Sequence, residues 1–158
     1  MRGMGYWLYK SEPGVYGIDH LERDGDTIWD GVRSYMARIH LVAAAVGDQV
    51  FFYHSSADPP GIAGLAEVVE TAVVDPLQFD PASKYFDPTS PPGEPRWMTV
   101  RVRFVEKFAR FLPLDLLRRS FTPEELIALR KGNRLSVIPV PDATAHRLLE
   151  MGRGSEPE

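Results

Sequence analysis

The sequence predicts a single domain in which β-strands alternate with helices, α/β or α+β in class. Two stretches carry this prediction. Valine and phenylalanine alternate with arginine across residues 96–111, which is the period-two pattern of a half-buried strand. Apolar residues recur at helical spacing across residues 34–46, and Ser34 is suited to cap that helix. With 158 residues, the chain is long enough to bury a sizeable core without metals or disulfides.

Shorter patterns and turn residues predict the other elements. We expect further strands at residues 5–10, 49–54, 62–74 and 135–140. We expect further helices at residues 18–23, 114–119, 123–131 and 143–151. A capping box of Thr122 and Glu125 begins the third of these helices, and Asp142 caps the last. Because proline cannot donate to a ladder, Pro139 indicates an edge position for the final strand.

Composition limits the class of protein. The domain is expected to span residues 1–151, with a disordered tail over residues 152–158. The absence of cysteine excludes disulfide scaffolds, thiolate zinc sites and cysteine nucleophiles. The N-terminus shows no signal-peptide pattern, and no apolar run is long enough to span a bilayer. We therefore expect a cytoplasmic protein.

The charge balance argues for a local rather than an extended anion site. A net charge of −4 and a pI near 5.6 are unfavourable for non-specific wrapping of long duplexes, which needs broad phosphate neutralisation. Fourteen of the 18 basic residues are arginine, whose planar group stacks on rings and pairs with anions through two hydrogen bonds. A basic patch is compatible with this composition, although surface solubility explains the arginines equally well.

The strongest candidate for a binding site lies in residues 27–45. Trp29 is followed by an Asp-Gly turn, and Gly31 allows close approach of a ligand or a second backbone. Arg33 precedes the helix, and Tyr35 and Arg38 lie near its start. A ring, a tight turn and two cations suit a planar, partly anionic ligand. The alternative is a buried tryptophan with ordinary surface arginines.

Polar residues at strand ends and rings in a long loop supply further candidates. The first strand ends in Lys10 and Ser11, and the second ends in His54, which Ser55 follows. The irregular stretch 75–95 carries Tyr85 and Phe86, and loops of this length are often lids or binding loops. The alternatives are an ordinary strand end, a structural histidine, and rings that pin the loop to the core.

No pattern predicts catalysis. The four histidines are scattered without metal-ligand spacing, and no P-loop, nucleophile elbow or dinucleotide fingerprint is present. We therefore expect no enzyme activity, no metal and no cofactor. A catalytic site assembled only in space remains an alternative that the sequence leaves open.

Several of these stretches, taken in order, resemble the EVE domain family. The resemblance covers nearly the whole chain, from Gly5 to Met151. The matching residues are Tyr6-Trp7-Leu8, Lys10-Ser11-Glu12-Pro13, Trp29-Asp30-Gly31-Val32-Arg33, Tyr35, Ala37, Arg38, Phe52-Tyr53-His54-Ser55, Gly64, Ala66-Glu67-Val68-Val69, Tyr85, Asp87-Pro88, Pro95-Arg96-Trp97 and Arg134-Leu135-Ser136-Val137. The resemblance implies a PUA-like fold, a small mixed β-barrel with helices packed around it.

The resemblance also implies a function. EVE domains are similar to YTH domains, which hold a methylated adenine in an aromatic cage, and they occur as sensors of modified cytosine. This implies a partner nucleic acid, DNA or RNA, with methylated or hydroxymethylated cytosine or methylated adenine. Trp29 would match a cage wall, Lys10 and Ser11 the pocket floor, and Tyr85 or Phe86 a second ring. The candidate base-binding residues are Lys10, Ser11, Trp29, Gly31, Val32, Tyr35, His54, Ser55, Tyr85 and Phe86, and the candidate phosphate-binding residues are Arg33, Arg38 and Arg134.

The chain departs from the family pattern at the start of the central helix. Where relatives commonly carry amides, Ser34, Met36 and Ile39 stand here. If those amides read the base edge, specificity differs in this chain, whereas amides that only brace the helix are dispensable. Two rival functions remain open, a small-molecule or nucleotide-like ligand pocket, including an unrecognised enzyme, and a protein-interaction module with a vestigial pocket.

Overall fold

The structure is a computed structural model that describes residues 5–154. Within these residues the strands are β1 (Tyr6–Ser11), β2 (Asp26–Ile28), β3 (Gln49–His54), β4 (Gly61–Val74), β5 (Met98–Pro113) and β6 (Val137–Pro139). The α-helices are α1 (Pro13–Tyr16), α2 (Ile18–Asp24), α3 (Tyr35–Ala43), α4 (Leu114–Ser120) and α5 (Asp142–Gly152), and short 3-10 turns lie at Pro76–Phe79 and Ile127–Leu129. None of these helices is long and apolar enough to cross a membrane.

The six strands form one mixed sheet in the order β2-β5-β4-β3-β1-β6. β1 and β3 run parallel, with Ser11 opposite His54, whereas the other neighbours are antiparallel. The carboxyl ends of β1 and β3 therefore lie side by side. The prediction of a sheet edge near Pro139 is confirmed, because β6 is the last strand of the sheet.

Both faces of the sheet are apolar and covered. Along β1, Trp7 and Tyr9 enter one core with residues of α2 and α3, while Tyr6 and Leu8 enter a second core with residues of α4 and α5. This alternation follows from the period-two geometry of a strand. Burial of each such large side chain stabilises the fold by roughly 1.5–3 kcal/mol.

One buried carboxylate ties β1 to the turn before β3. Asp48 accepts hydrogen bonds from the Trp7 indole Nε1–H at 2.8 Å, from the Gly5 backbone N–H at 2.9 Å and from the Ala45 backbone N–H at 2.9 Å. These donors come from two segments of the chain, so Asp48 fixes their relative position.

Helix α3 begins as the sequence predicts, but its apolar stripe faces solvent. The Ser34 hydroxyl accepts the Ala37 backbone N–H, so the cap is confirmed. The helix buries only Ala37 and Leu41. The residues whose spacing predicted the helix are largely exposed: Met36 (51%), Ile39 (60%), Val42 (62%) and Val46 (64%).

The prediction of a helix over residues 123–131 is wrong. Thr122 and Glu125 form the capping box. The Thr122 backbone N–H donates to the Glu125 carboxylate, and the Glu125 backbone N–H donates to the Thr122 hydroxyl. The chain then leaves the helical path at Leu126, whose backbone is extended and whose side chain is fully buried. Burial of Leu126 in the second core therefore overrides the local helix signal.

Two smaller corrections concern the C-terminal helix. Pro141, not Asp142, is the N-cap of α5, and Asp142 is the first helical residue. The predicted disordered tail begins too early, because Gly152 lies in α5 and is buried against Phe108. Residues 155–158 and the predicted loose end at residues 1–4 lie outside the described residues.

Candidate functional site

A pocket of about 730 Å³ lies beside the carboxyl ends of β1 and β3. This volume falls within the range of roughly 300–1,000 Å³ that is typical of small-ligand sites. The lining residues come from the end of β1, from α1, from β2 and the segment that follows it, and from three loops: Lys10, Ser11, Glu12, Val15, Tyr16, Thr27, Ile28, Trp29, Asp30, Gly31, Val32, Arg33, Ser55, Lys84, Tyr85, Arg134 and Ser136.

The fold brings most of the predicted site residues to this pocket. Those that line it are Lys10, Ser11, Trp29, Gly31, Val32, Arg33, Ser55, Tyr85 and Arg134. Their sequence positions are separated by up to 124 residues. The parallel pairing of β1 with β3 brings the end of β1, which carries Lys10 and Ser11, next to the end of β3. The structure thus assembles one cavity from segments that the sequence could only treat singly.

Four predicted residues do not line the pocket. The His54 Nε2 accepts the Ile18 backbone N–H at 3.1 Å, and burial lowers the pKa of His54, so this ring serves as a structural acceptor. Tyr35 stacks on Trp97 with ring centres 5.3 Å apart, and the Arg38 guanidinium lies 5.9 Å from the same ring. Phe86 is 39% exposed and lies outside the lining.

Trp29 is a core residue that also contributes to the pocket. Only 7% of it is exposed, and its ring centre lies 5.3 Å from that of Tyr9 and 5.4 Å from that of Phe52. Most of the ring is therefore packed by the chain itself. Trp29 therefore offers a ligand only a small accessible surface, and its role as a cage wall stays a prediction.

Tyr85 forms the second aromatic boundary and rests against the turn after Trp29. Gly31 has a φ of +82°, and a Cβ added there would lie 3.0 Å from a Tyr85 ring carbon. The Gly31 backbone N–H also donates to Asp75 at 2.8 Å. Glycine is needed here both for the left-handed backbone and for the close approach of the Tyr85 ring.

Arg33 lines the pocket and is also held by contacts within the protein. Its Nη1 forms an ion pair with Asp75 at 2.8 Å, and its Nε donates to the Tyr85 carbonyl at 3.0 Å. Its remaining nitrogen, Nη2, is buried and has no hydrogen-bond partner among the described residues. Asp75 is itself only 2% exposed. These contacts fix the loop that carries Tyr85, and phosphate binding by Arg33 stays a prediction.

Three other cations of the pocket have no carboxylate partner among residues 5–154, namely Lys10, Lys84 and Arg134. The Lys84 ammonium lies 5.1 Å from the Tyr85 ring centre, and burial lowers the pKa of Lys10. Several cations elsewhere on the described surface are paired with carboxylates, among them Arg101, Arg103, Lys107 and Arg153. Unpaired positive charge is thus present where two rings meet a cavity.

The loop that carries Tyr85 is pinned at its base by a buried amide. The Gln78 side chain donates to the carbonyls of Asp75 and Trp97 and accepts from the Ser90 hydroxyl and the Trp97 backbone N–H. Trp97 in turn donates its Nε1–H to Asp87 at 2.8 Å. The sequence left open whether the rings of this loop pin it to the core or face a ligand. The loop is pinned to the core by Gln78 and also places the Tyr85 ring at the pocket.

Three charged lining residues, Glu12, Asp30 and Lys84, are absent from the candidates predicted from the sequence. Asp30 was treated only as a turn former, although an acidic residue beside a candidate stacking ring is itself a signal. Lys84 adjoins Tyr85 and was passed over in favour of the rings. Met36 and Ile39, two of the departures from the family pattern, do not line the pocket, and Ser34 serves as the helix cap.

Within residues 5–154, no group of three or more metal-ligating side chains is close enough to hold a metal ion.

Comparison with known proteins gives a clear family assignment. The family model of the EVE domain matches residues 5–151. The chain belongs to the EVE domain family.

Two human comparisons support the assignment. Human thymocyte nuclear protein 1 is 42% identical over 153 residues, which span 85% of this EVE domain chain and 68% of the human protein. The structure of human THYN1 protein in complex with DNA that contains 5-methylcytosine has a TM-score of 0.85 at 36% identity, covering 97% of this chain and 99% of that one. The chain spans about two thirds of the length of such curated relatives.

A more distant neighbour concerns the fold alone. The Pho92 YTH domain, solved with m6A, has a TM-score of 0.57 at 13% identity, covering 100% of this chain and 88% of that one. Together with the mixed six-stranded sheet and its flanking helices, these neighbours confirm the predicted α/β, PUA-like class of the EVE domain.

Proposed function

We propose that this EVE domain binds a modified nucleobase of DNA that is turned out of the stack into the pocket. One observation carries the proposal: the described pocket combines aromatic boundaries, Trp29 and Tyr85, with the unpaired cations Lys10, Lys84 and Arg134. Aromatic groups favour any planar base, and unpaired cations favour the phosphates on either side of it.

The energetics of such a site are favourable. Turning a base out of a duplex costs a few kcal/mol, and stacking on an aromatic side chain returns about 1–3 kcal/mol. Val32, Ile28 and Val15 give the pocket an apolar component that a base methyl group can contact. Because one methyl group in an apolar pocket is worth only ~1–3 kcal/mol, preference for the modified base is expected to be selective and not absolute.

Modified cytosine in DNA is the first candidate ligand. The support is the human THYN1 protein, whose structure contains DNA with 5-methylcytosine and resembles this chain over nearly its whole length. The proposed role is recognition without chemical change of the base. Neither RNA nor methylated adenine has comparable support, so both serve as competing ligands in the test.

The test is a fluorescence-anisotropy titration with oligonucleotides that differ at one base. They carry cytosine, 5-methylcytosine, 5-hydroxymethylcytosine, adenine or methylated adenine, in single- and double-stranded DNA and in RNA. Wild type is expected to prefer 5-methylcytosine in DNA over cytosine. Equal affinity for all oligonucleotides, or tighter binding of the free nucleoside, would overturn the proposal in favour of a small-molecule pocket.

The matched variants for this test are Tyr85→Ala and Phe86→Ala. Both remove a ring from the same loop, but only Tyr85 lines the pocket. Loss of one stacking partner predicts a roughly 5- to 100-fold weaker affinity for Tyr85→Ala and little change for Phe86→Ala. Trp29→Ala is less informative, because removal of a buried tryptophan destabilises the core by about 3–5 kcal/mol.

A further inference from the structure

The carboxylate of Asp30 is a pocket acceptor without an internal donor. Among residues 5–154, no other residue donates a hydrogen bond to it and no cation lies within ion-pair distance. The neighbouring carboxylate of Asp75, by contrast, accepts from Gly31, Arg33 and Leu77. Asp30 adjoins Trp29 in sequence and lines the same cavity. Its oxygens are therefore available to a ligand that supplies N–H groups.

The electrostatic setting of Asp30 favours such a ligand. Burial and the nearby charge of Asp75 raise the pKa of the Asp30 carboxyl. The positive charge of Arg33 opposes this shift of the Asp30 pKa. Hydrogen bonds to a charged acceptor are stronger than those between neutral groups, so a bound N–H donor is favoured here. Both acidic lining residues, Asp30 and Glu12, are exposed, and Asp30 is the one that adjoins Trp29.

We infer that Asp30 accepts a hydrogen bond from the exocyclic amine of the bound base and so selects aminopyrimidines against thymine. This inference rests on the proposed function and specifies the base-edge chemistry of that same pocket. 5-Methylcytosine and thymine share the methyl group at position 5, so the apolar contacts cannot distinguish them. They differ at position 4, where cytosine has an amine donor and thymine has a carbonyl acceptor. A carboxylate that faces position 4, and not the N–H that thymine carries at position 3, repels that carbonyl and binds that amine.

Three DNA probes isolate the amine. They contain, at one position of the same single strand, 5-methylcytosine, thymine or 5-methylpyrimidin-2-one, which carries hydrogen in place of the amine. A hydrogen bond to a charged acceptor is expected to make wild type bind the first probe about 10- to 100-fold more tightly than either of the others.

The decisive variants are Asp30→Asn and Glu12→Gln, each of which removes one negative charge from the pocket with little change of shape. An amide can turn its NH₂ group toward a carbonyl, so Asp30→Asn is expected to bind thymine and 5-methylcytosine within about threefold of each other. Glu12→Gln is expected to keep the wild-type ratio. Thermal unfolding followed by circular dichroism establishes that both variants are folded.

The pH dependence gives a second readout. Protonation of Asp30 removes the acceptor, so wild-type preference for 5-methylcytosine over thymine should decline as pH falls through the raised pKa of this carboxyl. The ratio for Asp30→Asn should not vary with pH over the same range. Measurement of both ratios at several pH values separates titration of Asp30 from titration of other groups.

The possible failures are distinguishable. If wild type does not prefer 5-methylcytosine over cytosine, the proposed function fails. If it has that preference but binds thymine as tightly as 5-methylcytosine, only the assignment of Asp30 is wrong. The assignment is also overturned if Asp30→Asn keeps the wild-type ratio, whatever the result for Glu12→Gln.

Discussion

Two arginines with similar sequence-based predictions have different surroundings. Arg33 bridges Asp75 and the Tyr85 carbonyl with most of its polar atoms inside the protein, whereas Arg134 lines the pocket with no described carboxylate partner. The Arg33 guanidinium is held by protein groups, whereas that of Arg134 has no carboxylate partner among the described residues. We therefore expect Arg134 to be the more accessible of the two to a phosphate.

This difference predicts opposite phenotypes. Arg33→Ala leaves Asp75 buried without its cation, so the free energy of unfolding should fall by on the order of 3 kcal/mol. Arg134→Ala removes an exposed charge, so stability should stay within about 0.5 kcal/mol of wild type while DNA affinity decreases. Urea denaturation and anisotropy titrations measure the two effects. Wild-type stability in Arg33→Ala would contradict the bracing role.

Individual residues could be predicted where their chemistry is unusual. Trp29 and Tyr85 stand out as rings beside turn and loop residues, and both line the pocket. His54 could not be assigned from the sequence, because its acceptor role depends on Ile18, which lies 36 positions away. Asp30 was missed because a turn-forming role already explained an aspartate before glycine.

At the scale of elements, the loop from Asp75 to Trp97 is ordered by a few polar contacts and by one short 3-10 turn, Pro76–Phe79. Gln78 is completely buried and makes four hydrogen bonds that join the two ends of the loop. The position of Tyr85 therefore depends on the side-chain amide of Gln78, at the base of the same loop.

Gln78→Ala is expected to lower the free energy of unfolding by about 2–4 kcal/mol, because two carbonyls and two donors lose their buried partner. Hydrogen exchange should accelerate across residues 75–97, and affinity for 5-methylcytosine DNA should fall with it. Glu94→Ala, an exposed change in the same loop, is the control and should leave all three measurements near wild type. Unchanged amide hydrogen exchange across residues 75–97 in Gln78→Ala would argue against the role of Gln78 in holding the loop.

Elements were predictable where local pattern and burial agree. The alternation in β5 and the cap of α3 appear as expected, since Val100 and Val102 are buried and Ser34 caps the helix. β2 was missed because three residues are too few for a pattern. The helix prediction for residues 123–131 is wrong for a different reason. Burial of Leu126 depends on the second core and not on the neighbouring sequence.

For the whole molecule, the distribution of charge matters more than its sum. The chain carries a net charge of −4, yet the pocket holds three cations without described carboxylate partners. The acidic surface opposes general adhesion to nucleic acid, while the pocket presents local attraction. Binding should therefore involve few phosphates.

Salt dependence tests this charge distribution. Three phosphate contacts predict a slope of log affinity against log salt of about −3 for duplex DNA and about −2 for single strands. Lys84→Ala combined with Arg134→Ala should make the slope shallower by about two units. Arg101→Ala, which removes a cation already paired with Asp26 and Glu70, should not. A much steeper wild-type slope would indicate contacts spread over a larger surface.

The two apolar faces of the sheet have a consequence for the uniqueness of the fold. Because β1 is bulky and apolar on both sides, a shift of one residue against β3 would exchange its two faces and still bury aromatic and aliphatic groups. Hydrophobic burial alone therefore separates the competing alignments only weakly. Asp48 separates them, since its carboxylate meets the Trp7 indole and the Gly5 amide in one alignment alone. The buried Asp48 thus fixes the register of β1, and with it the positions of Lys10 and Ser11 in the pocket.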